Sequence, residues 1–387
     1  MNELNEQNLT MKYISEFRDK IIAKTLAEQI KKTVRPDRQY KLMEFCGGHT
    51  HAIHRYGIPS LLPSNIDLIH GPGCPVCVLP IARIDMAIAL SQLPDVIFCS
   101  YGDMLRVPGT DQRSLLKAKA EGADIRMVYS IDDALMLAKE NPSKQIIFFA
   151  IGFETTTPPT AVALKTAKAN NLKNFSVFCN HVLTPIAMQA LLSDETEPVQ
   201  IDGFIGPAHV SIIIGEQAYE DVAMQFQKPV VISGFEPLDV MYSILMLVQM
   251  LNEGRYGTEN QYIRAVTKKG NQKSQAVIDE TLILRDSFEW RGLGFIPHSG
   301  MRIKDAYADF DAELRFPMTV TKSKEHKACD CPSILRGIKK PNDCKLFAKA
   351  CTPENPLGSC MVSSEGACSA YYSYKGVSNV KNFNKKR

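Results

Sequence analysis

Between about Arg38 and Leu251 the chain alternates short β-rich apolar runs with segments of helical spacing. Such alternation commits a chain to parallel strands, because parallel neighbours need a crossover and a helix fills it. Strands are expected at Tyr40–Phe45, Ile66–His70, Asp95–Ser100 and Asp124–Tyr129, with helices at His49–Tyr56, Leu79–Leu93, Thr110–Glu121 and Ile131–Glu140. After the breaker Asn141-Pro142-Ser143 the alternation resumes. Its strands are Gln145–Ile151, Phe175–Cys179, Ile201–Ile205 and Pro229–Ser233, and its helices Pro159–Asn170, Pro185–Leu192, Ser211–Gln227 and Pro237–Leu251. The expected fold class is therefore α/β, with two similar parallel-sheet domains over residues 36–141 and 142–253. A polar, helical extension (1–35) precedes them, and a cysteine-bearing domain (254–387) follows. Gly152-Phe153-Glu154 and Gly234-Phe235-Glu236 echo one another after a strand and before a helix, a short trace of internal repetition.

Beyond Gly254 the pattern changes. Helical spacing returns at Gln261–Thr267 and Lys273–Arg285, and Trp290-Arg291-Gly292-Leu293-Gly294 follows. From Thr321 onward the chain is rich in Cys, Pro, Gly, Ser and Lys and poor in aliphatics. A segment of that composition cannot bury much of a core, and a bound metal centre would supply the missing stability.

Charge excludes little but points away from nucleic acid and lipid. Lys and Arg number 45 against 42 Asp and Glu, for a net charge of +3. The basic stretches 322–327 and 385–387 read as solvated surface. The acidic start of the chain is wrong for a secretory signal, and no apolar run reaches the roughly 18–20 residues of a membrane helix. A cytoplasmic protein is expected. In a reducing compartment its 11 cysteines are ligands or reactive thiols before they are structural disulfides.

The cysteines form two stations. Downstream stand Cys329, Cys331, Cys344, Cys351, Cys360 and Cys368. Four thiolates suit a [4Fe–4S] cluster or a tetrahedral zinc. Paired Cys-x₂-Cys knuckles are absent from this stretch, and the long irregular spacings favour a cluster held by loops. Cys344 and Cys351 would share one side of a helix. Upstream, Cys74-Pro75-Val76-Cys77 follows Gly71-Pro72-Gly73 between a strand and a helix, where free N–H groups and the helix dipole favour thiolate. Cys46-Gly47-Gly48-His49-Thr50-His51 also follows a strand. If the two strands are neighbours, Cys46, Cys74 and Cys77 converge at one sheet edge as a soft site for Fe(II), Cu(I) or Zn. His49 and His51 either ligate there or cap and orient a helix start. Glu154, in Phe153-Glu154-Thr155-Thr156-Thr157-Pro158, either orients a thiol or anion or serves an elaborate N-cap. Gly102–Gly109 and Asn180–Pro185 are further loops on the active edge. Cys99 and Cys179, inside apolar strands, are core thiols.

These motifs together resemble the HypD family of [NiFe]-hydrogenase maturation proteins, from about Tyr40 to Tyr374. The resemblance rests on Phe45–His51, Gly71–Cys77, Gly102–Gly109, Ala150–Pro158, Asn180–Pro185, Trp290–Gly294 and Asp343–Cys368, in that order. It implies a scaffold on which the Fe(CN)2CO moiety of the hydrogenase active site is assembled. The implied partners are HypC, a small chaperone sharing one iron with the scaffold, HypE, the cyanide donor, and indirectly the hydrogenase large subunit. The implied iron-site residues are Cys46, Cys74 and Cys77. The implied cluster ligands are Cys344, Cys351, Cys368 and one of Cys329 or Cys331, with Cys329 favoured; Cys360 is not among them. The alternative is a thioredoxin-like thiol–disulfide oxidoreductase carrying an iron–sulfur cluster.

Overall fold

The computed structural model describes residues 15–318 and 325–374. The basic residues 322–324 and 385–387 lie outside the described residues. Each expected strand forms: β1 (Tyr40–Glu44), β2 (Ile66–His70), β3 (Val96–Ser100), β4 (Ile125–Met127), β5 (Gln145–Gly152), β6 (Phe175–His181), β7 (Gly203–Pro207) and β8 (Val230–Ser233), joined by β9 (Thr258–Asn260). All pair in parallel. The class is α/β, as the alternation requires.

The strands sort differently from the expected division at residue 141. One sheet runs β2-β1-β7-β8-β9 and the other β4-β3-β5-β6. The chain lays down β1 and β2, leaves to build the whole second sheet, then returns so that β7 pairs with β1, Leu42 opposite Gly203. Periodicity fixes where strands lie but carries no information about which strands pair.

Helices largely follow expectation, with Ile131–Glu140 realised end to end and capped by Ser130 and Asp133. Several expected helices depart from this: Thr110–Glu121 becomes a 3-10 turn followed by the helix Leu115–Ala120, and Lys273–Arg285 stops at Thr281, where the short strand Leu282–Leu284 begins. Ser211–Gln227 divides into Ala208–Ile214, a 3-10 turn and Glu220–Gln225, separated at Gly215 with φ of 83°. Gln261–Thr267 is turn, not helix. Three apolar layers hold the fold. One joins inner faces of both sheets to the cysteine-rich segment. A second covers the outer face of the four-stranded sheet, and a third packs Pro237–Glu253 and the Lys20–Thr33 helix on the five-stranded one. The sheets and the tail thus share one core. No helix among the described residues is long and apolar enough to cross a membrane.

Candidate functional site

In a parallel sheet all carboxyl ends emerge on one edge, and a ligand is best received where the strand order reverses. In the five-stranded sheet β1 starts that reversal, with β2 on one side and β7 on the other. Cys46 follows β1 as the N-cap residue of helix Gly47–Arg55. Cys74, after β2, is the N-cap residue of Pro75–Val78. Glycine lets these loops touch: Gly47 N donates to Gly73 O at 3.1 Å, and a Cβ on Gly73 would collide with the backbone of Phe45 and Cys46. Cys74 and Cys77 form a disulfide, both buried, and Cys46 remains a free, half-buried thiol.

The surroundings of Cys46 are now specific. Burial, then the Glu365 carboxylate nearby, push its thiol far above the usual range. A lone Cys46 is therefore protonated, and a Lewis-acidic cation must displace that proton to bind. His49 is fully buried, and burial depresses it to about 4, so the ring is neutral. Its Nε2 lies 3.0 Å from both the Ser233 and Gly234 carbonyls and must carry the hydrogen. That leaves a lone pair on Nδ1, which has no hydrogen-bond partner among the described residues. Phe235, after β8, is sandwiched between His49 at 4.6 Å and His209, after β7, at 4.0 Å. A Cβ on Gly48 would lie 2.8 Å from that ring and 3.7 Å from Cys46 Sγ. Beneath the loop, buried Glu44 accepts from Cys46 N at 3.1 Å and bonds His70 Nδ1 at 2.6 Å, and His70 meets His54 at 3.1 Å.

The six downstream cysteines line one narrow space together with Ile334, Phe347, Gly358 and Met361. No group of three or more His, Cys, Asp or Glu among the described residues is arranged about a single ion position. The two stations adjoin. Ser359 Oγ donates to Cys77 O at 2.9 Å and lies 3.4 Å from Cys331 Sγ. Arg291 N donates to Val78 O at 2.7 Å, while a Cβ on Gly292 would press on Pro332, so the Trp290–Gly294 turn wedges between them. Arg106, in the Gly102–Gly109 loop, donates to Val362 O at 2.7 Å and Pro353 O at 3.1 Å, clamping the tail from the other side.

The HypD family model, described as the hydrogenase formation hypA family, matches residues 21–375. The chain belongs to the HypD family. The hydrogenase maturation factor HypD of Azotobacter vinelandii is 60% identical over 367 residues, covering 94% of this chain and 97% of the relative. The hydrogenase expression/formation protein HupD of Azotobacter chroococcum is similar to the same degree. HypD of Escherichia coli is 44% identical over 370 residues, covering 94% and 98%. A hydrogenase maturation factor is the coarse function these likenesses establish.

Within this family member the expected residues separate. Cys46 and the Cys74–Cys77 pair meet at one edge, though as one thiol and one disulfide rather than three free thiolates. His49 is at that edge. His51 points elsewhere, its Nε2 3.2 Å from Tyr374 OH. Glu154 is 4% exposed and accepts from Thr184 N at 2.8 Å and Oγ1 at 2.9 Å, so it caps the Thr184–Ser193 helix; burial raises it to about 7. Its counterpart Glu236 instead pairs with Arg18 at the surface, so the short repeat shares position without sharing environment. Cys99 and Cys179 are fully buried, raised by burial to about 12 and about 11. Cys344 and Cys351 do not share a helix: Ala348 between them has φ of 54°, which turns the chain out of helical geometry. Phe235, His209, Glu365 and Ser359 escaped the sequence reading. Their signal was faint: His209 and Phe235 each follow a strand, and Glu365 and Ser359 lie in the cysteine-rich motif.

Proposed function

We propose that this chain is the scaffold on which the Fe(CN)2CO unit of a [NiFe]-hydrogenase is assembled. Iron is held jointly with a HypC-type chaperone, and cyanide arrives from a HypE-type donor. The observation that carries this reading is the adjacency of a free Cys46, a buried Cys74–Cys77 disulfide and a six-thiol cavity around one continuous core. Cys329, Cys344, Cys351 and Cys368 would hold a [4Fe–4S] cluster, and the all-thiol donor set gathered around one space fits one. Such a cluster supplies one-electron redox chemistry at the disulfide's back.

The residues of the chain do the rest. Cys46 offers a soft sulfur that gives up its proton only to the incoming iron, which is the substrate. His49, held neutral and fixed by two carbonyls, offers Nδ1 as a second donor or as an acceptor for the partner. Cys74 and Cys77 store two electrons' worth of oxidising capacity beside it. Glu154 and His51 act on structure around the site, as helix cap and as partner of Tyr374.

The rival reading, a general thiol–disulfide oxidoreductase, is favoured by the disulfide itself. Burial counts against it, because Cys74 is 4% and Cys77 0% exposed and a protein substrate must reach the sulfur it attacks. Infrared spectroscopy of the anaerobic complex with a HypC-type chaperone tests the proposal. Cyanide and carbonyl bands on wild-type protein, absent from Cys46→Ala, are the expected result. Bands of equal intensity in the variant would sink it.

A further inference from the structure

The Trp290–Gly294 turn carries one buried charge to the wall of the downstream cavity. Trp290 Nε1 donates to Ser299 Oγ at 2.9 Å, Arg291 N donates to Val78 O at 2.7 Å, and Gly292 turns the chain against Pro332 with φ of 83°. These contacts fix where the Arg291 side chain starts. Arg291 is 3% exposed, and its guanidinium brings positive charge to Cys331, whose side chain lines the cavity. Nε and Nη2 share one edge of the planar group, and neither has a hydrogen-bond partner among the described residues. The Glu325 carboxylate stands 3.2 Å from Nε as an ion pair, out of line for a hydrogen bond, with its own side chain 43% exposed. Lys339, whose charge reaches Cys344, is different: it is 42% exposed and paired with Asp330 at 2.6 Å, so water and a carboxylate screen it. Arg291 is screened by neither water nor a well-formed hydrogen bond.

We propose, resting on the cluster reading above, that Arg291 is a positioning residue that sets the reduction potential of the cluster, with Glu325 opposing it. A cluster held by four thiolates is already negative, and reduction adds one more electron to it. Nearby charge and hydrogen bonding to sulfur are the levers by which a protein sets that step. A fixed positive charge in a site closed to water stabilises the reduced form more than the oxidised one. Arg291 supplies that charge from the cavity wall without ligating iron. Glu325 takes part of it away, and does so weakly because its carboxylate is half in solvent. The two side chains therefore act on one potential with opposite signs.

The test uses the full anaerobic chain with its iron and sulfide, titrated with dithionite in the presence of redox mediators and followed by electron paramagnetic resonance of the reduced cluster. At a fixed potential, Arg291→Met should lower the ratio of reduced to oxidised cluster about tenfold, a midpoint shift of ~59 mV for one electron. Arg291→Lys keeps the charge and should stay within about twofold of wild type. Glu325→Gln should raise the ratio about threefold. Iron and sulfide per chain should match wild type in all three. Midpoints in Arg291→Met and Glu325→Gln equal to that of a loaded wild type would overturn the proposal, and so would an equal drop in Arg291→Lys and Arg291→Met. If Arg291→Met loses its cluster, Glu325→Gln decides alone: a raised midpoint supports the proposal, and an unchanged one overturns it. Wild-type protein without iron and sulfide would contradict the cluster reading itself, and this proposal would fall with it.

Discussion

Cys46 and Cys74 stand at the ends of paired strands, fixed by register: Glu44 lies opposite His70, and each cysteine begins the helix that follows. Cys344 and Cys351 stand in irregular chain, one after a 3-10 turn and the other in an isolated bridge to Phe347. The upstream station is therefore prebuilt by hydrogen-bonded backbone. The downstream one is a ring of side chains around a space, held by Arg106, Ser359 and the Trp290–Gly294 wedge. A prebuilt site can release a metal and remain itself, whereas a loop-built site needs its metal to stay. That contrast suits an iron in transit upstream and a resident cluster downstream.

The largest effect is expected downstream. Cys344→Ala should abolish cluster binding and lower the thermal midpoint of the C-terminal part sharply, followed by iron content and calorimetry. Retention of both would end the contrast. Next, Cys46→Ala should abolish hydrogenase maturation while changing stability by no more than about 1 kcal/mol, measured as hydrogenase activity in a complemented strain and by urea denaturation. Gly73→Ala comes third. Its new Cβ forces the Cys46 and Cys74 loops apart at a cost of about 1–3 kcal/mol, and maturation should fall with cluster content intact. If cluster content falls instead, the stations are not separable.

The smallest effect is in pH. His49 and His181 are buried and depressed to about 4 from an ordinary 6.5. A depressed histidine contributes stability that is present above pH 6.5 and lost as pH falls through 4, because the unfolded chain binds the proton first. Urea midpoints between pH 7 and 4 should decline, and His181→Gln, which cannot titrate, should flatten part of that slope. An unchanged slope would place His181 in a wetter environment.

How legible was all this in the sequence? The strands were, because each is a short apolar run bounded by turn residues, and Ile66–His70 emerged with both ends as expected. Cys46 and Cys74 were legible for the same reason: a residue after a parallel strand must lie on the carboxyl edge. Pairing across the fold was not. Nothing local in Gly203–Pro207 says that it returns to β1, and so His209 and Phe235 could not be brought to Cys46. The Ser359 bridge and the left-handed Ala348 are tertiary facts as well. Glu154 shows the opposite limit, since its post-strand position suggested chemistry and its contacts make it a helix cap.

The most direct test of two stations with two different tasks is iron and acid-labile sulfide, counted per chain in anaerobically purified wild type and Cys46→Ala. About four sulfides per chain in both proteins, with the variant unable to carry additional iron when incubated with a HypC-type chaperone, is the expected result. Sulfide lost along with Cys46, or zinc in place of iron and sulfide, would contradict it.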